Sequence, residues 1–172
     1  MKQGLNIGSG QRPFHSTGEI RWINVDSQAK WNPDLVMDGA HLPEDFANSF
    51  DYVVLSHTLE HFGCGEAVGL VMESHRVLKA GGSLIVSVPD IRALAQRWLD
   101  GGLSTQIYVT NLYGAYMGSE DDRHKWGFDG HTLWNFLNVS AIWKNIIRFD
   151  NRSLPGMDLA ADFWILSMEA VR

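Results

Sequence analysis

The 172-residue chain holds a single cysteine, Cys64, so no internal disulfide can form and a reducing, cytoplasmic setting is the expectation. It also lacks any run of about twenty apolar residues. The opening Met1-Lys2-Gln3-Gly4-Leu5-Asn6 has no apolar segment of the kind a secretory leader needs, so neither export nor a membrane span is expected. Without a leader, the Asn-x-Ser triplets at 138–140 and 151–153 carry little weight as glycosylation sites. Basic residues are in the minority, 14 Lys and Arg against 20 Asp and Glu, giving a net charge of −6. That balance disfavours nucleic acid as the main partner, although Arg123, His124 and Lys125 form a local basic patch. Internal repeats and low-complexity tracts are absent.

What is present suits one compact domain spanning 1–172: 45% of the residues are hydrophobic and 20% charged, in a chain long enough to bury a core without staples. Short apolar runs recur, and each stops on a polar residue or glycine. Leu5-Asn6-Ile7 opens into Gly8-Ser9-Gly10, Ile20 to Val25 ends on Asp26, Asp34 to Met37 on Asp38-Gly39, and Phe50 to Leu55 on Ser56-His57. Val68, Val71, Met72, His75 and Leu78 recur at helical spacing, with Lys79-Ala80-Gly81-Gly82 as cationic last turn and glycine stop. The continuous run Ser83 to Val88 reads as a strand covered on both faces. Residues 91–129 read as an insertion of short helices and loop, containing Trp98, Tyr108, Tyr113, Tyr116, Gly118 and Trp126. Asp129 then caps a helix with Leu133, Phe136, Leu137 and Ala141 on one face, and strands follow at 146–149 and 163–170.

Strands alternating with helices predict an open α/β sheet, whose ligands bind beyond the carboxyl ends of the strands. Gly8, Asp26, Asp38 and His57 all fall at such ends. A glycine loop after the first strand lets backbone approach a ligand, and an acid closing the second can accept hydrogen bonds from both ribose hydroxyls. The dinucleotide fingerprint fails, because Gly8-Ser9-Gly10-Gln11-Arg12-Pro13 has no third glycine and the first helix is short or missing before Ile20. Asp38 suits an adenine amino group, with the backbone of Gly39 and Ala40 in reach of the ring. Adenosine without a pyrophosphate fits best.

Leu5 to Gly10, Asn24-Val25-Asp26, Asp38 to Pro43, Ser49 to Val53, His57 to Phe62 and Arg76 to Gly82 together resemble the ordered motifs of class I S-adenosylmethionine-dependent methyltransferases, over about half the chain. More loosely, Asp122 to Asp129 resembles a small branch associated with glycan and cell-surface biosynthesis. The resemblance implies a Rossmann-like, mainly parallel seven-stranded sheet with helices on both faces and an insertion after the fifth strand. It implies S-adenosyl-L-methionine as cofactor, with Gly8, Ser9 and Gly10 at its methionine part, Asp26 and Ser27 at the ribose, Asp38, Gly39 and Ala40 at the adenine, and Ser56 and His57 near the sulfonium. The acceptor would be a small molecule or glycan. Two departures are Asn6, where the family usually has an acid, and the missing third glycine.

If the acceptor must lose a proton, His57 is the first candidate base, with His61 and His124 as alternatives. The bland readings are cofactor contact for His57, helix-start packing for His61 and a surface position for His124. His57-Thr58-Leu59-Glu60-His61 also matches the His-x-x-Glu-His pattern of zinc hydrolases, but the strand before it and Gly63-Cys64-Gly65 after it deny a regular helix, and no metal ligands are expected. A non-catalytic cofactor-binding module, a partner subunit and a homo-oligomer stay open. Asp90 is expected to cap a helix, His75 to lie partly in the core, and His15, His41 and His131 to carry no role. Trp134, Trp143 and Trp164 are expected in the core, and Trp98 and Trp126 as walls of an acceptor site.

Overall fold

The computed structural model describes residues 1–115, 120–139, 141–149, 154–157 and 164–172. Tyr116, Gly118, the triplet at 151–153 and Phe163, all drawn into the expectations above, lie outside the described residues. The strands are β1 (Lys2–Ile7), β2 (Ile20–Asp26), β3 (Leu35–Val36), β4 (Phe50–Ser56), β5 (Leu78–Pro89), β6 (Asn145–Arg148) and β7 (Ile165–Val171). They form one sheet in the order β3-β2-β1-β4-β5-β7-β6. The first five are parallel, whereas β7 is antiparallel to both β5 and β6. The chain leaves β1 outward through β2 and β3, then returns to place β4 on the other side of β1. The carboxyl ends of β1 and β4 therefore flank the crevice at which such sheets bind ligands.

The two faces of the sheet are covered differently. Over one lie α1 (Cys64–Val77) and α4 (Gly130–Asn138), whose Ala67, Leu70, Val71, Leu133 and Leu137 join Leu5, Ile7, Val53, Leu55, Leu84 and Val86 in the larger core. Over the other, Ile20, Trp22, Val54 and Ile85 are covered by Phe14, Leu154 and Met157. Phe14 comes from residues 8–19, which contain no helix, and it meets the Trp22 ring edge-on with centroids 5.0 Å apart. Asn24 pins this segment, accepting from the Phe14 amide (2.8 Å) and donating to the Phe14 carbonyl (3.1 Å). The same Asn24 oxygen accepts from Asn6 (3.0 Å), so the amide in place of an acid on β1 serves this buried network.

Three details of the helices depart from expectation. The buried side of α1 is Ala67, Leu70, Val71, Ser74 and Val77, while Met72 is 43% exposed. The inward face is thus turned by about one residue from Val68, Met72 and His75, with small Ala67 and Ser74 among the residues buried on it. The helix ends at Val77, and Lys79 to Gly82 form the irregular start of β5, where the register with β4 shifts between Phe50 and Tyr52. Ala141 lies beyond α4 at φ +49°. The caps follow expectation: Asp129 and Thr132 exchange hydrogen bonds of 2.8 Å at the start of α4, and Asp90 accepts from the amides of Arg92 and Ala93 at the start of α2 (Ile91–Leu99). The insertion continues through α3 (Thr105–Tyr113).

Candidate functional site

The loop after β1 is shaped by a close approach. Gly8 stands at φ +72°, and a Cβ there would come 2.5 Å from Thr58 Oγ1, which itself donates to the Ile7 carbonyl (3.0 Å). Only glycine lets the ends of β1 and β4 meet in this way. The amides of Gly8 and Ser9 both donate to the Val25 carbonyl, at 2.8 and 3.1 Å, tying the loop to β2. Asp26 completes the tie, accepting from the amides of Gly10 and Gln28 at 2.8 Å each. Each of its oxygens keeps a lone pair for a further donor. Asp38 accepts from the Ala40 amide (2.9 Å) and sits 2.8 Å from His41 Nδ1; these contacts, the backbone one foremost, hold its carboxyl below the usual range.

These strand ends line a cleft of about 440 Å³. Of the residues expected in it, Gly8, Gly10, Asp26, Ser27, Asp38, Gly39, His57 and His61 line it, whereas Ser9, Ala40 and Ser56 do not. Ser9 is buried beneath the loop, with its Oγ unpaired among the described residues. Trp31, Met37 and Phe62 supply apolar wall, and Glu66, Asp121, Asp122 and Lys125 supply a charged rim. Asp121, Asp122 and Lys125 belong to the insertion and were not expected at this cleft, since nothing local says that the loop folds back over the turn after β4. Trp98 and Trp126 are absent from the lining: Trp98 stacks on Tyr108 at 4.9 Å instead. Trp134 is 42% exposed rather than core, while Trp143 meets His75 edge-on at 5.0 Å. Burial pushes the His75 imidazole down, with Arg172 adding to that effect, as suits a partly buried helix residue.

The three candidate imidazoles come together around Glu60, which the sequence offered only as the acid of the His-x-x-Glu-His pattern. Its side chain is only 1% exposed. His57 Nδ1 stands 3.3 Å from Oε1, an ion-pair distance without the alignment of a hydrogen bond, and among the described residues no donor reaches either oxygen. Burial alone would raise the Glu60 carboxyl, but His57, then His61 and His124, outweigh it and hold the group below its usual range. His61 and His124 meet edge-on with ring centroids 4.8 Å apart. Burial pushes His124 down, against the pull of Glu60. The Glu60 carbonyl accepts from the amides of Lys125 (2.8 Å) and Trp126 (3.2 Å), fastening the insertion to the turn after β4. His57 occupies φ +50°, a strained conformation for a residue with a side chain, with its amide anchored on the Ser87 carbonyl at 2.8 Å. Leu59–His61 is a single 3-10 turn, so His57 and His61 do not share a helix face as a zinc hydrolase would require.

The cleft suits adenosine better than a dinucleotide. No helix follows the glycine loop, so no helix N-terminus is available for a pyrophosphate, and the acids Asp26, Asp38, Glu66, Asp121 and Asp122 would repel one. The same acids favour a cationic ligand.

Residues 18–86 match a family model described as a methyltransferase domain. No curated protein matches the sequence significantly. Among solved structures, an S-adenosylmethionine-dependent methyltransferase of Thermotoga maritima, described as a possible histamine N-methyltransferase, has a TM-score of 0.60 at 15% identity, over 99% of this chain and 82% of its own. One from Archaeoglobus fulgidus has a TM-score of 0.59 at 15% identity, over 99% and 86%. The 1,6-didemethyltoxoflavin-N1-methyltransferase of Burkholderia thailandensis, with its substrate and S-adenosylhomocysteine bound, has a TM-score of 0.57 at 16% identity, over 99% and 71%. At these identities the likeness shows the Rossmann-like fold. Together with the family match over residues 18–86, it supports a methyltransferase. Among the described residues no helix is long and apolar enough to cross a membrane.

Proposed function

We propose that this chain is an S-adenosylmethionine-dependent methyltransferase acting on a small-molecule or glycan acceptor. The observation that carries the reading is the acid-lined cleft at the ends of β1, β2 and β4, which has a glycine approach but no phosphate-binding helix. When bound there, S-adenosylmethionine supplies a methyl group activated by a positively charged sulfur. Gly8 and Gly10 would hold its methionine part, with Ser9 buried behind them. Asp26, beside Ser27, takes the ribose hydroxyls; Asp38 and Gly39 take the adenine; His57 lies toward the sulfur. Trp31 and Met37 give the adenine apolar contact.

Positioning of two reactants accounts for most of the acceleration in such a displacement. Where the acceptor carries a proton, His57 accepts it. Its Nδ1 faces Glu60, whose charge stabilises the imidazolium and leaves Nε2 for the acceptor. Residues 91–129 supply the acceptor side through Asp121, Asp122 and Lys125. The lone, exposed Cys64 accords with a reducing, cytoplasmic setting.

Calorimetric titration tests the reading. S-adenosylhomocysteine should bind and NAD should not, and Asp26→Ala should weaken S-adenosylhomocysteine by about 1.5 to 3 kcal/mol, the scale of charge-assisted hydrogen bonds. Failure of S-adenosylhomocysteine to bind the wild-type chain would sink the proposal.

A further inference from the structure

We infer that Glu60, His61 and His124 form a site for a divalent transition-metal ion, with an open position for an oxygen ligand: water, or a hydroxyl or carboxyl group of the acceptor. One ligand atom from each residue lies within 4.8 Å of the others. The hydrogen bonds around the cluster decide what these atoms can do. His61 Nδ1 is 3.1 Å from the Arg123 carbonyl, and His124 Nδ1 is 2.9 Å from the Asn111 carbonyl. Carbonyls only accept, so each Nδ1 carries the hydrogen, and each neutral ring presents a bare lone pair at Nε2. The third member is a carboxylate buried to 1% exposure, with no hydrogen-bond donor on either oxygen among the described residues. When both rings are neutral, three lone-pair groups lie close together around a buried carboxylate, and either a proton on an imidazole or a metal cation relieves them, so the ion competes with that proton.

The surroundings are those of a prepared ligand set. Metal-bound imidazoles characteristically donate their other N–H to a backbone carbonyl, which fixes tautomer and ring orientation, and both rings here do so. The ligands come from opposite halves of the chain, yet Lys125 and Trp126 clamp their loop to the Glu60 carbonyl by two backbone hydrogen bonds. His57 approaches only Oε1 of Glu60, which leaves Oε2 for the ion. Two imidazoles and one carboxylate suit zinc, iron(II), cobalt(II) or manganese(II) better than calcium or magnesium. With bonds of about 2.1 Å, tetrahedral ligand atoms stand about 3.4 Å apart, so the cluster would close by up to about 1.4 Å around the ion. Three protein ligands leave a position open. His61 lines the cofactor cleft, and His124 lines a neighbouring hollow with Tyr113, Gly114, Arg123 and Lys125, so an ion between them would face both.

Metal binding stands on this geometry alone, whereas the acceptor's oxygen as a ligand rests on the methyltransferase reading. The test uses metal-free full-length protein titrated with zinc and with cobalt(II), followed by calorimetry and by the visible spectrum of bound cobalt. One ion per chain is expected, with affinity weakened at least about tenfold by Glu60→Gln and by His124→Gln. Because Glu60 is in the core, thermal melting checks that variant's fold; His124→Gln, on a loop, decides the matter if Glu60→Gln does not fold. S-adenosylhomocysteine affinity, measured on the wild type and on His124→Gln, reports separately on the cofactor cleft, which His124 does not line. No zinc or cobalt binding by the wild type, or binding that His124→Gln leaves intact, overturns the site. Metal binding without S-adenosylhomocysteine binding would leave the site standing and remove the methyltransferase proposal, and the reverse result would separate the two the other way.

Discussion

Two glycines of one loop separate backbone strain from crowding. Gly8 combines φ +72° with a virtual Cβ 2.5 Å from the Thr58 hydroxyl, whereas Gly10, at φ +49°, has nothing within 4 Å of its virtual Cβ. Gly8→Ala must therefore push β1 and β4 apart, while Gly10→Ala pays only a conformational penalty of about 1 kcal/mol. Gly8→Ala should lower the melting temperature and weaken S-adenosylhomocysteine at least tenfold, and Gly10→Ala should do distinctly less; equal effects would show that Thr58 does not set the loop. Gly8 and Asp26 were legible in the sequence because a strand followed by glycine or acid places them at a sheet end without further information. Glu60 was not. It stood in the sequence only as the acid of a His-x-x-Glu-His pattern whose context denied a helix, and its burial involves the insertion loop held to it by Lys125 and Trp126.

Between elements, Asp51 on β4 links three strands: it accepts from the Gln3 amide on β1 (2.8 Å) and pairs with Lys79 at the irregular start of β5 (2.8 Å). Burial works to raise its carboxyl, but Lys79 and the Gln3 amide prevail and hold it below the usual range. A carboxyl lowered in the folded state adds stability that is fully present above its unfolded pKa, about 3.9, and is lost as the pH falls through the lower folded value. Urea unfolding should thus show wild-type stability declining below about pH 4 more steeply than that of Asp51→Asn. Parallel curves would deny Asp51 this role. The strands themselves were readable from short β-branched runs with polar stops. The inward side of α1 was not, because it includes Ala67 and Ser74, whose burial a count of large apolar residues does not register. Ser74 also spends its hydroxyl on the Leu70 carbonyl (2.8 Å), which makes a buried polar residue tolerable.

For the molecule as a whole, charge decides which ligand the cleft prefers. The chain carries a net charge of −6, and five acids stand around a cleft of about 440 Å³ against one lysine. Part of that ring, Asp121 and Asp122, comes from the insertion, so the sheet and the loop folded over it create the potential jointly. S-adenosylmethionine carries one more positive charge than S-adenosylhomocysteine, and the two are otherwise nearly the same shape. The acids should act on the difference between them, and mobile ions should screen that action, since the Debye length falls from about 30 Å at 0.01 M salt to about 8 Å at 0.15 M. Raising the salt over that range should weaken S-adenosylmethionine measurably more than S-adenosylhomocysteine in parallel titrations. Replacing Asp121 and Asp122 together by Asn should reduce the difference, while S-adenosylhomocysteine affinity, with Asp26 and Asp38 left in place, should change little. If both ligands respond equally to salt, the acidic rim has no part in recognising the sulfonium, and selectivity must come from contacts with the nucleoside and methionine alone.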